Sequence, residues 1–169
     1  DQAKIITSVE EAARTIRNHI EFTKEYQEVG IHAPAWQDLR EVIVRAGGRL
    51  SLGRVKLAIG VEGVELFADP LLERAVYNLI DNALRHGESL TRIRFSYVES
   101  ASGLSVSCED DGVGIPPEDK ERVFTPRFAS SSGYGLFLVR EILGITGITI
   151  REAGAPGRGA DFRMEVPRG

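Results

Sequence analysis

The run Glu109-Asp110-Asp111-Gly112-Val113-Gly114-Ile115-Pro116 sits directly behind an apolar, strand-like segment at residues 104–109. Two glycines spaced by one residue let the backbone turn sharply and come close to a flat ligand. A carboxylate at the strand end is acceptor-only, which suits the exocyclic amino group of adenine and repels the carbonyl that guanine offers at the same place. Asp110 thereby reads as a base-recognising residue. The plainer alternative is a tight acidic turn, which Asp-Asp-Gly sequences make often.

Upstream, Asp69-Pro70 opens a helix, as an N-cap followed by proline at the first helical position. Its apolar stripe runs Leu72, Ala75, Val76, Leu79, Ile80, Ala83, and it ends near His86-Gly87. Asn78 and Asn82 are i,i+4 neighbours on the polar side, so both amides face the same way. Asparagine is a poor helix former and a merely solvated face more often carries Glu, Lys or Arg, so the pair is either a plain surface feature or a ligand set. A hard cation such as Mg²⁺ accepts an amide oxygen and completes its shell with water and phosphate. Downstream, Ser130-Ser131-Ser132-Gly133-Tyr134-Gly135-Leu136 leads into a helix at 134–144. Backbone N–H groups at such a helix start, uncrowded at Gly133 and Gly135, form a cradle for phosphate. The paired amides, the acidic glycine turn and the glycine-rich helix start follow one another within about sixty residues.

Around these lie the structural elements. Residues 92–98 and 104–109 read as a hairpin about Ser102-Gly103, and 148–152 pairs with 161–166 across a Gly/Pro-rich turn. Residues 36–46 read as a short amphipathic helix, and 55–59 and 64–68 as strands around the Gly60/Gly63 turn. Helices alternating with hairpins predict a two-layer α/β sandwich, a mixed sheet with helices on one face, preceded by a long N-terminal helix. In that helix Ile5, Val9, Ala12, Ile16, His19, Thr23 and Tyr26 recur in alternating steps of four and three, a coiled-coil-like stripe widened by Ile6, Ala13 and Ile20. The stripe calls for a partner along its length; the alternative is that it packs on its own domain. Gly30 and Pro34 end the helix.

At 169 residues the chain is about one domain with an appendage. Lys and Arg number 21 against 25 Asp and Glu, a net charge of −4, which argues against disorder and against a general polyanion surface, so no nucleic-acid partner is expected. No apolar run approaches the roughly 18 residues of a membrane span, and the start lacks the order of a signal peptide. The lone Cys108 excludes an internal disulfide and a thiolate metal site and fits a reducing, cytoplasmic compartment.

The ordered motif set resembles the catalytic ATP-binding domain of sensor histidine kinases, within the superfamily that also holds gyrase and the mismatch-repair ATPases. Residues 79–87 look like its N box, 110–116 like its first glycine box, Val123-Phe124 with Phe128 like its F box, and 133–142 like its second glycine box. The resemblance implies the Bergerat fold, residues 31–169 as the ATP-binding domain, and residues 1–30 as the second helix of a dimerisation hairpin. It implies ATP and Mg²⁺ as cofactors. Asn82 would hold the metal, Asn78 would support it, and Arg85 would reach the phosphates. His86 would stand beside the nucleotide and Asp110 would read adenine. Gly112 and Gly114 would permit close approach of the base beside Ile115, while Ser132, Gly133, Gly135 and Leu136 would flank the phosphates beneath a compact lid.

Departures from the pattern are Ser131 at a position where glycine is frequent and Tyr134 where leucine is usual. The related hydrolases carry a glutamate general base where this chain has Asn78; an amide cannot take up that proton, so slow hydrolysis and transfer to another protein are expected. No phosphoacceptor motif precedes the ATP-binding region. His19 reads as a packed or interface histidine and His32 as a surface residue, and the chain as the C-terminal part of a larger receptor, whether membrane-attached or not. The implied partners are a histidine-bearing hairpin, a response regulator and a second copy through the N-terminal helix. An anti-sigma-factor-type serine kinase and a non-catalytic interaction module are the competing readings.

Overall fold

The structure is a computed structural model describing residues 1–126 and 134–168. In chain order its elements are α1 (Gln2–Glu28), β1 (Ala35–Asp38), α2 (Leu39–Gly48), β2 (Lys56–Gly60), β3 (Glu65–Ala68), α3 (Leu72–His86), β4 (Arg92–Ser100), β5 (Gly103–Asp110), α4 (Gly135–Gly144), β6 (Thr149–Glu152) and β7 (Asp161–Val166). Two short 3₁₀ turns, Pro117–Asp119 and Arg122–Phe124, connect β5 to the segment before α4. Five strands form one sheet in the order β2-β4-β5-β7-β6, all neighbours antiparallel except β2 and β4.

Period-two alternation decides the two faces of this sheet. Ile93 and Phe95 of β4, Val106 and Cys108 of β5, and Phe162 and Met164 of β7 point into the core against α2, α3 and α4. Between them Arg94 pairs with Glu109 at 2.6 Å, and Arg163 with Asp161 at 2.8 Å, on the outer face. The helices therefore cover one face, as the sequence predicts. The hairpins at 92–110 and 149–166 also form as expected.

Two expectations need correction. Residues 55–59 and 64–68 do not pair with each other: β2 joins β4 in parallel, while β3 pairs antiparallel with β1 in a separate two-stranded sheet. The connecting turn carries Val61 and Val64, both buried, and Val64 O accepts from Leu39 N at 2.9 Å. Burying those valines pulls the turn into the core and separates the strands. Likewise, the helix expected from Trp36 begins only at Leu39, where Asp38 accepts the Glu41 N–H at 2.9 Å as an N-cap. Trp36 lies in β1 opposite Phe67, their rings 5.5 Å apart.

Asp69 is not the N-cap expected of it, since Leu71 holds that position and Pro70 precedes the helix, but its carboxylate has another task. Its Oδ1 accepts from Leu71 N at 2.8 Å and its Oδ2 from Gly30 N at 2.9 Å, so one buried carboxylate ties the end of α1 to the start of α3. The first helical residue is Leu72, two positions later than Pro70. Asp69→Ala strands two backbone donors at the junction and should cost about 2–3 kcal/mol, read as a lower midpoint in urea.

The N-terminal helix uses two faces. Phe22 stacks on Tyr134 at 4.3 Å and lies 5.9 Å from Phe137, and Glu25 pairs with Arg74 at 2.7 Å. From the apolar stripe only its later members reach the domain: the His19 ring meets the Tyr134 hydroxyl at 2.9 Å, and Tyr26 stacks with Phe137. Ile5, Val9 and Ile16 stay more than 60% exposed at 63%, 62% and 61%. Among the described residues no helix is long and apolar enough to cross a membrane.

Candidate functional site

A cavity of about 240 Å³ opens between α3, the end of β5 and the start of α4. Helical spacing places Asn78, Asp81, Asn82 and Arg85 on one face of α3, and all four line it. His86 and Gly87 close the end of that helix. Asp110, Gly114, Ile115 and Pro116 form the opposite wall, with Asp119 and Val123 beyond; Gly135 and Leu136 bring in the first turn of α4, and Ala160 arrives from the turn before β7. The three motif regions, separated along the chain, thus meet at one place. Ser132, Gly133 and Phe128 lie outside the described residues.

Asp110 stands at an inward-facing position of β5, in step with Val106 and Cys108. Its Oδ1 accepts from Gly112 N at 2.9 Å and Ala160 N at 3.1 Å, while its own N–H donates to Ala160 O at 2.9 Å. Among the described residues Oδ2 has no partner, which leaves an acceptor at the cavity wall. Burial pushes the carboxyl above its ordinary value, the two N–H donors pull it back, and the nearby Asp111 and Glu152 charges raise it further. Such a group receives an amino hydrogen well and a carbonyl badly.

The glycines of this turn serve the wall itself. A Cβ on Gly112 would lie 2.6 Å from both Cα and O of Gly87, so the space it clears is filled by the end of α3. Gly112 does not line the cavity, unlike Gly114, whose φ of +76° is left-handed.

On the far side, Asn78 is nearly buried and donates from Nδ2 to Gly135 O at 3.2 Å, coupling α3 to the start of α4. It is therefore not on a solvated face, although its amide still borders the cavity. The Asn82 amide has no hydrogen-bond partner among the described residues. Arg85 is engaged with Asp81 at 2.9 Å and half exposed.

Residues 68–169 match the family described as histidine kinase-, DNA gyrase B-, and HSP90-like ATPase. The chain belongs to this family. It is similar to the alginate biosynthesis sensor protein KinB of Pseudomonas aeruginosa, at 34% identity over 119 residues covering 67% of this chain and 20% of that protein. It is also similar to the signal transduction histidine-protein kinase/phosphatase MprB of Mycobacterium leprae, at 28% identity over 168 residues covering 92% of this chain and 32% of that one. Among solved structures, the mycobacterial sensor histidine kinase MprB matches with a TM-score of 0.70 at 27% identity, over 80% of this chain and 97% of that one. The chain spans a fifth to a third of the length of these curated relatives.

For a member of this ATPase family, the cavity holds residues that motif reading passed over. Asp81 was accessible from helical spacing alone, three residues after Asn78. Ala160 and Asp119 carry no local signal, because the turn and the connector that bring them are assembled only in the fold. Asp111 points away instead: it accepts from Thr91 N and Arg92 N, each at 2.9 Å, and from the Thr91 hydroxyl. These bonds hold its carboxyl down at about 2 against an ordinary 3.8. A depressed folded-state pKa gives stability that is present above the ordinary value and lost as pH falls through about 2. Acid unfolding should therefore be steeper between pH 4 and pH 2 in the parent than in Asp111→Asn.

Proposed function

We propose that this chain is the ATP-binding kinase module of a two-component sensor histidine kinase, binding Mg-ATP in the α3–β5–α4 cavity and passing the γ-phosphoryl group to a histidine outside these residues. The observation that carries the reading is the convergence of Asn78, Asn82, Asp110 and Gly135 on one cavity, with Asp110 Oδ2 and the Asn82 amide lacking protein partners among the described residues. Free polar groups from two different elements of the lining suit a ligand that carries both an amino-bearing base and a hydrated divalent cation. Family membership and the two sensor-kinase relatives support it.

In this reading Asp110 accepts the adenine amino group, with Ile115 and Leu136 as apolar flanks. Asn82 supplies an amide oxygen to Mg²⁺, whose chemistry when bound is to neutralise phosphate charge. Asn78 orients the start of α4 through Gly135, and its amide cannot activate water, so hydrolysis is slow. Arg85 exchanges Asp81 for phosphate, and Ser132 and Gly133 complete the phosphate side. His86 borders the nucleotide at the cavity mouth. Transfer then rests on positioning and charge neutralisation. Residues 1–30 act as the second helix of a dimerisation hairpin and residues 31–169 as the ATP-binding domain. The exposed Ile5, Val9 and Ile16 stripe meets the other helix of the hairpin or a second copy, and a response regulator receives the phosphoryl group.

Titration calorimetry with Mg-ATP, ATP plus chelator and Mg-GTP tests the binding step. Supplying a matching histidine hairpin with γ-labelled ATP tests transfer: an acid-labile, base-stable product supports it, whereas an acid-stable serine phosphate on a partner supports the competing reading. Asn82→Ala should remove most of the Mg²⁺-dependent gain in affinity and leave the metal-free affinity nearly unchanged. Absence of heat with Mg-ATP at millimolar concentration would overturn the proposal.

A further inference from the structure

Glu152 is a charge on the core side of an edge strand. Alternation along β6 puts it in step with Ile150 and opposite Phe162 of β7, and its side chain is completely buried. Its Oε1 accepts from Gly154 N at 2.7 Å and Asp161 N at 3.0 Å. Its Oε2 accepts from Lys120 Nζ, which also donates to Gly154 O at 2.6 Å. Lys120 follows the Pro117–Asp119 turn, so this cluster joins three separate parts of the chain: the connector after β5, the end of β6 and the turn entering β7.

Neither Lys120 nor Glu152 lines the cavity, yet Lys120 follows a residue that does and Glu152 holds the backbone next to another. Asp119, next to Lys120, is part of the wall. Ala160, next to the Asp161 N–H that Glu152 holds, lines it too and donates the N–H that fixes Asp110 Oδ1. Fixing Oδ1 determines where Oδ2 points. A buried ion pair is seldom needed for stability alone, since apolar replacements of similar volume serve as well, whereas its directionality can specify one arrangement of the groups it joins.

We propose that Lys120 and Glu152 are a positioning pair for purine selectivity, locking the Asp119 wall and the Ala160 donor in the one register that presents Asp110 Oδ2 to the base. The proposal rests on the nucleotide reading above. Without the clip, the connector and the 153–160 turn move independently, Asp110 loses its fixed orientation, and the preference for an amino group over a carbonyl weakens.

The test compares the parent with Lys120→Met/Glu152→Gln, in which the glutamine oxygen still accepts from Gly154 and Asp161 and no uncompensated charge remains. Lys120→Arg, which restores a buried donor cation, is the rescue variant. Kd values for Mg-ATP and Mg-GTP and a thermal unfolding midpoint are measured for each. The expected result is a folded double variant whose ATP affinity falls about five- to tenfold while its weak GTP affinity changes by less than about twofold, with Lys120→Arg close to the parent. Single Lys120→Met, which keeps the backbone bonds of Glu152, gives the same selectivity readout should the double variant be unstable. A lowered midpoint with an unchanged ATP-to-GTP ratio would overturn the proposal, as would a proportional loss toward both nucleotides. A parent that binds no Mg-ATP overturns the nucleotide reading itself, which distinguishes the two failures.

Discussion

Asp110→Asn should weaken Mg-ATP binding about ten- to a hundredfold, because a hydrogen bond to a charged acceptor contributes about 1.5–3 kcal/mol and each 1.4 kcal/mol is a factor of ten. The substitution keeps the size of the side chain. It also keeps an oxygen able to accept from Gly112 N and Ala160 N, the two donors that hold Oδ1. What changes is the group left facing the cavity: an acceptor-only oxygen becomes an NH₂ donor, which meets the adenine amino group donor to donor. Discrimination against GTP should fall in the same variant, since the amide hydrogen matches the guanine carbonyl. Calorimetry with both nucleotides checks this. Unaltered protein that bound GTP as tightly as ATP would remove Asp110 from the role. Burial holds the Asp110 carboxyl above the ordinary carboxylate range, so acidification should protonate it sooner than an exposed aspartate and reduce ATP affinity at a correspondingly higher pH. Asp110→Asn should lack that titration.

The second large effect is expected from Gly112→Ala. The added Cβ would stand 2.6 Å from Cα and O of Gly87, and Gly87 has little room to retreat because its own Cβ position lies 2.6 Å from Ala83 O. Both obstacles are backbone, so no side-chain rotation relieves the contact. Overpacking of this kind costs about 1–3 kcal/mol, and the backbone-on-backbone geometry places Gly112 at the upper end of that range. The displacement also separates the end of α3 from the acidic turn, so ATP affinity should fall together with the thermal midpoint. Gly135→Ala provides the contrast. Among the described residues the atoms nearest a Cβ there are those of the Asn78 side chain at 3.8–3.9 Å, ordinary contact, and alanine is the better helix former of the two. Its midpoint should hold or rise. Two glycines of similar motif status therefore separate: one is required by the protein's own packing, while the other meets only ordinary side-chain contact among the described residues.

Much of the architecture was legible because it is written in local periodicity. Alternation in 92–100 and 103–110, the helical stripe of α3 and the glycine-bearing turns each depend on neighbours a few residues away. Motif order carried the three walls of the cavity in the same way. Asp81 was equally accessible, since helical spacing alone puts it between Asn78 and Asn82.

The tertiary structure alone decided which partners those local elements met. β2 and β3 share a turn yet join different sheets, because the buried valines of that turn are satisfied by a core that no short window contains. Asp110 and Asp111 are adjacent and chemically identical, but the phase of β5 turns one toward the cavity, while Thr91 and the β4 backbone capture the other. Ala160 enters the site from beyond α4, the Lys120–Glu152 pair joins the connector before α4 to the end of β6 behind the wall, and the Asn78 amide finds its partner in Gly135, 57 residues away. Backbone propensity and side-chain chemistry act over a few residues and are properties of the chain by itself. Burial, the pairing of a charge and the direction of a carboxylate oxygen depend on groups brought from elsewhere by folding, and these determine whether the motifs make a site.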